Sequence, residues 1–345
     1  MERAPSYRAG SGYREAVTDA STPAAPDSPA ADSPVVGAPA FDDGLDPAWI
    51  ARVVRVALDE DLGPEPGRDV TTQATVDVAA TGTADLVARA DGVVAGLVVV
   101  PEVFAQVAAR FGLDAPRVAF VAKDGERVRR GQVLVTVVGP TQVLLVAERT
   151  LLNLASRASG VATHTRRWAD ELEGTGALVL DTRKTTPGLR ALEKYAVRAG
   201  GGTNKRMGLF DVAMVKDNHV VAAGSVAAAV AAVRERFPDV AVQVEADTTA
   251  QAVEAVDAGA DFLLLDNMPT PVLAATVAAV RARQGTPASG VPAATVPEHV
   301  ELEATGNLTL DRASEVAGTG VDYLSVGALT HSSPILDLAL DLRPA

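Results

Sequence analysis

From Leu151 onward the chain repeats one pattern: a short apolar run of strand type, a stretch with helical spacing, then another apolar run. Strand-like runs fall at residues 178 to 180, 212 to 215, 240 to 244, 262 to 265, 300 to 302 and 323 to 326. Helical segments intervene at 187 to 199 with Thr186 as cap, 226 to 237 after Ser225, 249 to 258 after Thr248, 270 to 283, and 310 to 317 after Thr309. Strands separated by helices pair in parallel, so successive crossovers of one type predict a barrel or a doubly wound sheet. Each run ends in polar side chains: Asp181-Thr182-Arg183-Lys184, Lys216-Asp217-Asn218, Glu245-Ala246-Asp247, Asp266-Asn267, Thr305-Gly306-Asn307 and Gly327-Ala328. Barrels place their chemistry at the carboxyl ends of their strands, with phosphate often held after the last two, and this favours the barrel. Six units are clear, so the barrel is incomplete or a further strand lies around residues 160 to 165.

Upstream the organisation differs. Residues 1 to 44 hold six prolines among Ala, Ser and Asp with almost no large aliphatics, and are expected to form a disordered extension. A helix is predicted from a cap near Asp46 with Pro47 in its first turn. Strand-like runs follow at 84 to 88, 93 to 100, 118 to 121, 133 to 138 and 143 to 146. Residues 123 to 133 have the turn spacing of a lipoyl-carrier hammerhead, but no lysine sits at a second hairpin apex to carry a prosthetic group. The hammerhead is therefore read as structure.

Composition removes several classes of function. The chain has no cysteine, which excludes disulfides, thiolate nucleophiles and Cys-based metal sites, and its four histidines are scattered without a metal-ligand spacing. No stretch approaches the ~18 continuous apolar residues of a spanning helix, and no secretory signal is recognisable, so a cytoplasmic location is expected. A net charge of −13 argues against nucleic acid and anionic membranes as partners. No GxxxxGK[ST], GxGxxG or GxSxG motif is complete.

Against this acidic background, residues 181 to 220 hold eight Lys and Arg and four acids. Four of only five lysines fall there (Lys184, Lys194, Lys205 and Lys216), which reads as an anion site; a solvated helix face is the competing reading for Lys194 and Arg198. Carboxylates facing an anionic ligand make sense when Mg²⁺ or sugar hydroxyls lie between, so the set points to a phosphorylated sugar carrying pyrophosphate.

The run from Asp181 to Arg190, then Lys194-Tyr195-Ala196-Val197, Gly200-Gly201-Gly202, Asn204-Lys205-Arg206-Met207-Gly208-Leu209 and Lys216-Asp217-Asn218-His219, resembles the quinolinate phosphoribosyltransferase family. Leu264-Leu265-Asp266-Asn267, Leu302 to Asn307 and Gly320 to His331 continue the likeness, which covers about residue 46 to the end. The resemblance implies an α/β sandwich domain at 45 to 155, an incomplete (β/α) barrel at 156 to 330, and a carboxyl-terminal segment at 331 to 345 packing on the first domain. It implies a homodimer or higher homo-oligomer acting on quinolinate and phosphoribosyl pyrophosphate with Mg²⁺. By the same resemblance Arg149 reaches quinolinate, from the neighbouring subunit, Arg183, Lys184 and Arg206 help bind the dicarboxylate, and Thr182 and Lys205 are further substrate-binding residues. Lys184, Lys216, Glu245 and Asp266 are the implied catalytic set. Of these, Lys216, Glu245 and Asp266 meet the phosphoribosyl donor, and Glu245 and Asp266 its Mg²⁺, directly or through substrate or water. Thr305, Gly306, Asn307, Val326, Gly327 and Ala328 match phosphate-binding turns.

Two departures stand out. Lys205 replaces the family's usual His, and Thr305 its more usual Ser. Lysine keeps its charge at all working pH, so anion binding survives while any role for a neutral imidazole does not. Two alternatives share these features: a related phosphoribosyltransferase with another aromatic acceptor, and a non-catalytic sugar-phosphate-binding protein.

Overall fold

The computed structural model describes residues 35–36, 44–286 and 296–343. The extension expected over residues 1 to 44 lies outside these, apart from Val35, Val36 and Gly44. The chain forms two compact bodies. Among the described residues, one holds Arg167–Arg183 and Thr203–Gly327, and the other holds the chain up to Arg166, Lys184–Gly202 and the segment from Ala328 on.

The amino-terminal body contains β1 (Val35–Val36), β2 (Thr81–Ala88), β3 (Gly92–Val93), β4 (Arg117–Phe120), β5 (Arg127–Val128) and β6 (Val133–Pro140). Its main sheet runs in the order β1, β4, β6, β2 and the last strand, Leu338–Leu342, which pairs antiparallel with β2. Arg343 and Thr136 bind Asp85 of β2 at 2.7–2.9 Å. They hold its carboxyl below the ordinary value and fasten the end of that last strand. The predicted first helix forms as Pro47–Leu62: Asp46 accepts from the Ala48 N–H at 2.9 Å, and Ile50, Val54, Leu58 and Leu62 make one buried stripe at four-residue spacing.

Three expectations fail here. The run at 143 to 146 is not a strand; it lies in the first turns of a 31-residue helix, Thr141–Glu171. Short, wholly apolar runs satisfy a buried helix as well as a buried strand. The stretch at 160 to 165 belongs to the same helix, where a Cβ at Gly160 would stand 2.1 Å from the Pro334 carbonyl oxygen. That glycine serves close packing, not a strand. The run at 93 to 100 stops being extended after Val93, because Gly96 at φ 88° turns the chain into a 3₁₀ turn at Leu97–Val99. The N–H groups of Gly96 and Leu97 then donate to the buried Asp124 carboxylate of the hammerhead turn, at 3.1 and 3.0 Å.

The second body is one parallel sheet of β7 (Leu178–Leu180), β8 (Val212–Val215), β9 (Ala241–Ala246), β10 (Phe262–Asp266), β11 (Glu301–Thr305) and β12 (Tyr323–Ser325). Their spatial order is β7, β12, β11, β10, β9, β8, so β7 and β8 are the two edges and the barrel is not closed. Helices Val226–Arg236 and Thr249–Asp257 start at Ser225 and Thr248, each accepting from a backbone N–H inside the first turn. Val179, Leu180, Val242, Val244, Leu263, Leu265, Leu302, Ala304 and Leu324 are buried, as expected of parallel strands covered on both faces. Among the described residues, no helix is long and apolar enough to cross a membrane.

Candidate active site

The register of the parallel sheet brings its polar residues to one rim. Val215 lies opposite Val244, Leu264 opposite Glu245, Asp266 opposite Thr305, and Leu180 opposite Ser325. The residues that follow these positions therefore emerge at the carboxyl end together. On the β8 to β10 side they are acidic. The Lys216 ammonium forms an ion pair with Glu245, and the Lys216 N–H donates to His219 Nδ1 at 2.9 Å, closing the start of helix Asp217–Ala223. Asp247 has a raised pKa: partial desolvation comes first, then the carboxylates of Asp217, Asp266 and Glu245, with Lys216 opposing. Four acids thus crowd one end of the sheet around a single lysine. A hard divalent cation or a polyhydroxyl ligand would relieve that crowding.

Two guanidiniums meet where Arg183 leaves β7 and Arg206 bonds back to β8. Arg206 has its pKa lowered, first by burial and then by the Arg183 guanidinium, against Asp211 and Glu303. Arg206 donates to the Val212 carbonyl at 3.0 Å, which sets its plane. Two guanidiniums close enough to disturb one another favour an anion nearby, and their forks match carboxylates. Thr182 sits half-buried beside Arg183.

Lys205 is placed differently from its neighbours. Its ammonium lies 2.5 Å from Glu303, whose side chain is 0% exposed, and Gln243 donates to the other Glu303 oxygen at 2.8 Å. Lys205 is thus half of an ion pair inside the barrel, while its N–H and the Asn204 amide anchor to the buried Asp181 at 2.8 and 2.7 Å.

After β10 and β11, Asn267 and Asn307 both take positive φ, 52° and 48°, and their side chains bond at 3.2 Å. Gly306, at φ 93°, leaves no room for a side chain: a Cβ there would meet Asn267 Oδ1 at 2.2 Å. Gly306 therefore brings backbone to the rim beside Asn267 and Asn307, whereas Val326 after β12 is buried and its N–H donates to the Leu180 carbonyl at 2.9 Å.

The remaining expected site residues belong to the amino-terminal body. Arg149 is exposed on helix Thr141–Glu171 and lines a cavity of about 370 Å³ with Asn153, Ser156, Arg157 and Thr186. Lys184 is exposed, with its carbonyl accepting from Thr330 Oγ1 at 2.9 Å, and Ala328 opens the short helix Ala328–His331. Lys194 is 1% exposed, so the reading of a solvated helix face fails there.

Comparison with known proteins matches both bodies to one description. Residues 69–159 match the quinolinate phosphoribosyl transferase N-terminal domain and residues 161–341 its C-terminal domain. The chain belongs to the quinolinate phosphoribosyltransferase family. It is 48% identical over 289 residues to the nicotinate-nucleotide pyrophosphorylase [carboxylating] of Mycobacterium leprae, covering 84% of this chain and 95% of that protein. A probable nicotinate-nucleotide pyrophosphorylase of Bacillus subtilis is 40% identical, over 75% of this chain and 83% of its own length. Among solved structures, the nicotinate-nucleotide pyrophosphorylase from Francisella tularensis superposes with a TM-score of 0.76 at 30% identity, covering 88% of this chain and 100% of the other.

Two features of this rim are not singled out by the sequence. Asp247 stands there only as part of a strand end, although its spacing of two from Glu245 returns it to the same side of an extended chain. Gln243 falls inside an expected strand and Glu303 inside the run that carries the family likeness, and neither is read there as a partner of Lys205. The signal was a charge inside an apolar run, which burial tolerates only with a partner.

Proposed function

We propose that this chain transfers the phosphoribosyl group of phosphoribosyl pyrophosphate to quinolinate and decarboxylates the product, yielding nicotinate mononucleotide, CO₂ and pyrophosphate in NAD biosynthesis. The observation that carries this reading is a pair of mutually perturbing guanidiniums and a cluster of mutually perturbing carboxylates in one sheet body of a chain that matches both family domains. The Arg183 and Arg206 side takes the dicarboxylate, with Lys184 and, from a second subunit of a homodimer, Arg149. The Lys216, Glu245 and Asp266 side takes the donor, with Asp247 added to the set, and the turns at Thr305-Gly306-Asn307 and Val326-Gly327-Ala328 take its phosphates. Glu245 and Asp266 would hold Mg²⁺, directly or through water, where it supplies charge neutralisation for the leaving pyrophosphate.

The quinolinate ring nitrogen attacks the anomeric carbon as the bond to pyrophosphate oxygen breaks, through a cationic sugar-like transition state. Glu245 or Asp266 stabilises that cation electrostatically, with no covalent enzyme intermediate. The pyridinium so formed makes the adjacent carboxylate a leaving group. The carbon–carboxylate bond breaks to CO₂, its electrons stay on the ring carbon beside N⁺, and a proton added there completes nicotinate mononucleotide. In this reading the work takes place in the cytoplasm.

The test is stoichiometry. Purified protein with quinolinate, phosphoribosyl pyrophosphate and Mg²⁺ should release one CO₂ per mononucleotide, and should use nicotinate poorly. Equal turnover of the two acids, or mononucleotide from quinolinate without CO₂, would point to a sibling enzyme with another acceptor.

A further inference from the structure

The segment Lys184-Thr185-Thr186 has neither helix nor strand, yet side chains of its own body bind it at every residue, two of them fully buried. Thr330 Oγ1 donates to the Lys184 carbonyl at 2.9 Å. Arg190 Nε donates to Thr185 Oγ1 at 3.0 Å. The Glu193 carboxylate accepts from the Thr186 N–H at 3.0 Å and from its hydroxyl at 2.7 Å. Glu193 and Thr330 are both 0% exposed.

Behind them stands Arg157, from helix Thr141–Glu171. Its Nε and Nη2 reach Glu193 Oε1 at 3.0 and 2.8 Å, while Nη1 donates to the Ser333 carbonyl at 2.9 Å and Nη2 also to the Thr330 carbonyl. One guanidinium therefore ties helix Arg190–Ala199, which carries Glu193, to the segment after Ala328, which carries Thr330. Both tied elements then grip the Lys184 segment. Replacing a buried ion pair with apolar residues of similar size is often neutral or stabilising, so stability alone does not account for this one. A fixed backbone geometry does account for it, because every donor aims at the segment or at an element holding it.

We infer that Thr330, Glu193 and Arg157 are positioning residues that fix the backbone under Lys184 so that its ammonium is presented to the anionic substrate in one place. The inference rests on the function proposed above, since it takes Lys184 to meet that substrate. Preorganisation of this kind acts through geometry: small misplacements of a binding group cost rate without removing any contact to substrate.

Thr330→Val removes the donor to Lys184 at nearly constant shape, and Thr330→Ser keeps it. Steady-state kinetics with quinolinate and phosphoribosyl pyrophosphate, calorimetric quinolinate binding and thermal melting are measured on both full-length variants. The expected result is a roughly tenfold to hundredfold fall in kcat/KM for Thr330→Val, weaker quinolinate binding, a melting temperature near wild type, and recovery in Thr330→Ser. In a Lys184→Ala background the Thr330→Val effect should vanish, because two residues acting through one group are not additive. Glu193→Gln provides a second arm, with a fall in the same parameters. An active wild type whose Thr330→Val and Glu193→Gln variants match it, or whose losses persist undiminished without Lys184, would overturn the inference and leave the function standing. A wild type that neither binds nor turns over quinolinate would overturn the function, and the inference with it.

Discussion

At the scale of single residues, Asp247 links the acidic rim to pH. Its folded-state pKa is raised, first by partial desolvation and then by Asp217, Asp266 and Glu245. A raised folded pKa means that Asp247 favours the fold while protonated and withdraws that contribution as pH rises through the folded value. Asp247→Asn should therefore raise the melting temperature of the metal-free protein at neutral pH and leave it unchanged below the ordinary carboxyl value of 3.8. Melting curves across that range check it; an unchanged or lower neutral-pH value would show that repulsion does not govern the site. Lys216 gives a complementary case. Its side chain is 47% exposed, so its ion pair with Glu245 adds little to stability. Facing a desolvated pyrophosphate, the same charge should matter far more. Lys216→Ala is expected to lower kcat/KM by roughly 30-fold to 1000-fold with little change in melting. Wild-type kinetics in the folded variant would remove Lys216 from the donor site.

At the scale of elements, β11 carries a buried charge through the middle of the sheet. Glu303 meets Lys205 on one oxygen and Gln243 on the other, so removing Glu303 alone takes a fully buried carboxylate away from an ammonium with 12% exposure. Glu303→Leu should cost about 3 to 5 kcal/mol, and adding Lys205→Met should recover most of it; urea unfolding of the two variants measures both. If the double variant is no better than the single, the pair is not what holds this part of the sheet. Elements like β9 and β10 were legible in the sequence because parallel strands covered on both faces read as continuous apolar runs, and their helices announced themselves through Ser225 and Thr248. Legibility failed where that rule is ambiguous. The apolar run at 143 to 146 satisfies strand and helix alike, and the predicted start of a helix at Pro187 gives way to Arg190–Ala199. There Gly188 takes φ 81°, and Thr186 spends its N–H and hydroxyl on Glu193 instead of capping. In the second case the side chain of Glu193, seven residues on, decided the outcome, and periodicity does not encode it. The site divides in the same way: Lys216, Glu245 and Asp266 stood out at strand ends, whereas the pairing of Lys205 with Glu303 joins residues far apart in the chain.

At the scale of the whole molecule, the open question is how many chains make one site. Arg149 is exposed on helix Thr141–Glu171 and borders two cavities, one lined also by Asn153 and Arg157 and the other by Arg68, Asp69 and Glu148. An arginine held ready at a body's surface suits a role toward a second copy of the chain, and closed two-fold symmetry would then make each site borrow one arginine from its neighbour. The consequence is arithmetical. Arg149→Ala and Lys184→Ala homodimers would both be impaired, but in a hybrid of the two, one site carries both lesions and the other carries neither. Refolding the two inactive variants together should therefore restore up to half the activity per hybrid dimer, following the fraction of hybrids as the mixing ratio is varied. Verified hybrids that show only parental activity would place Arg149 in its own chain's site.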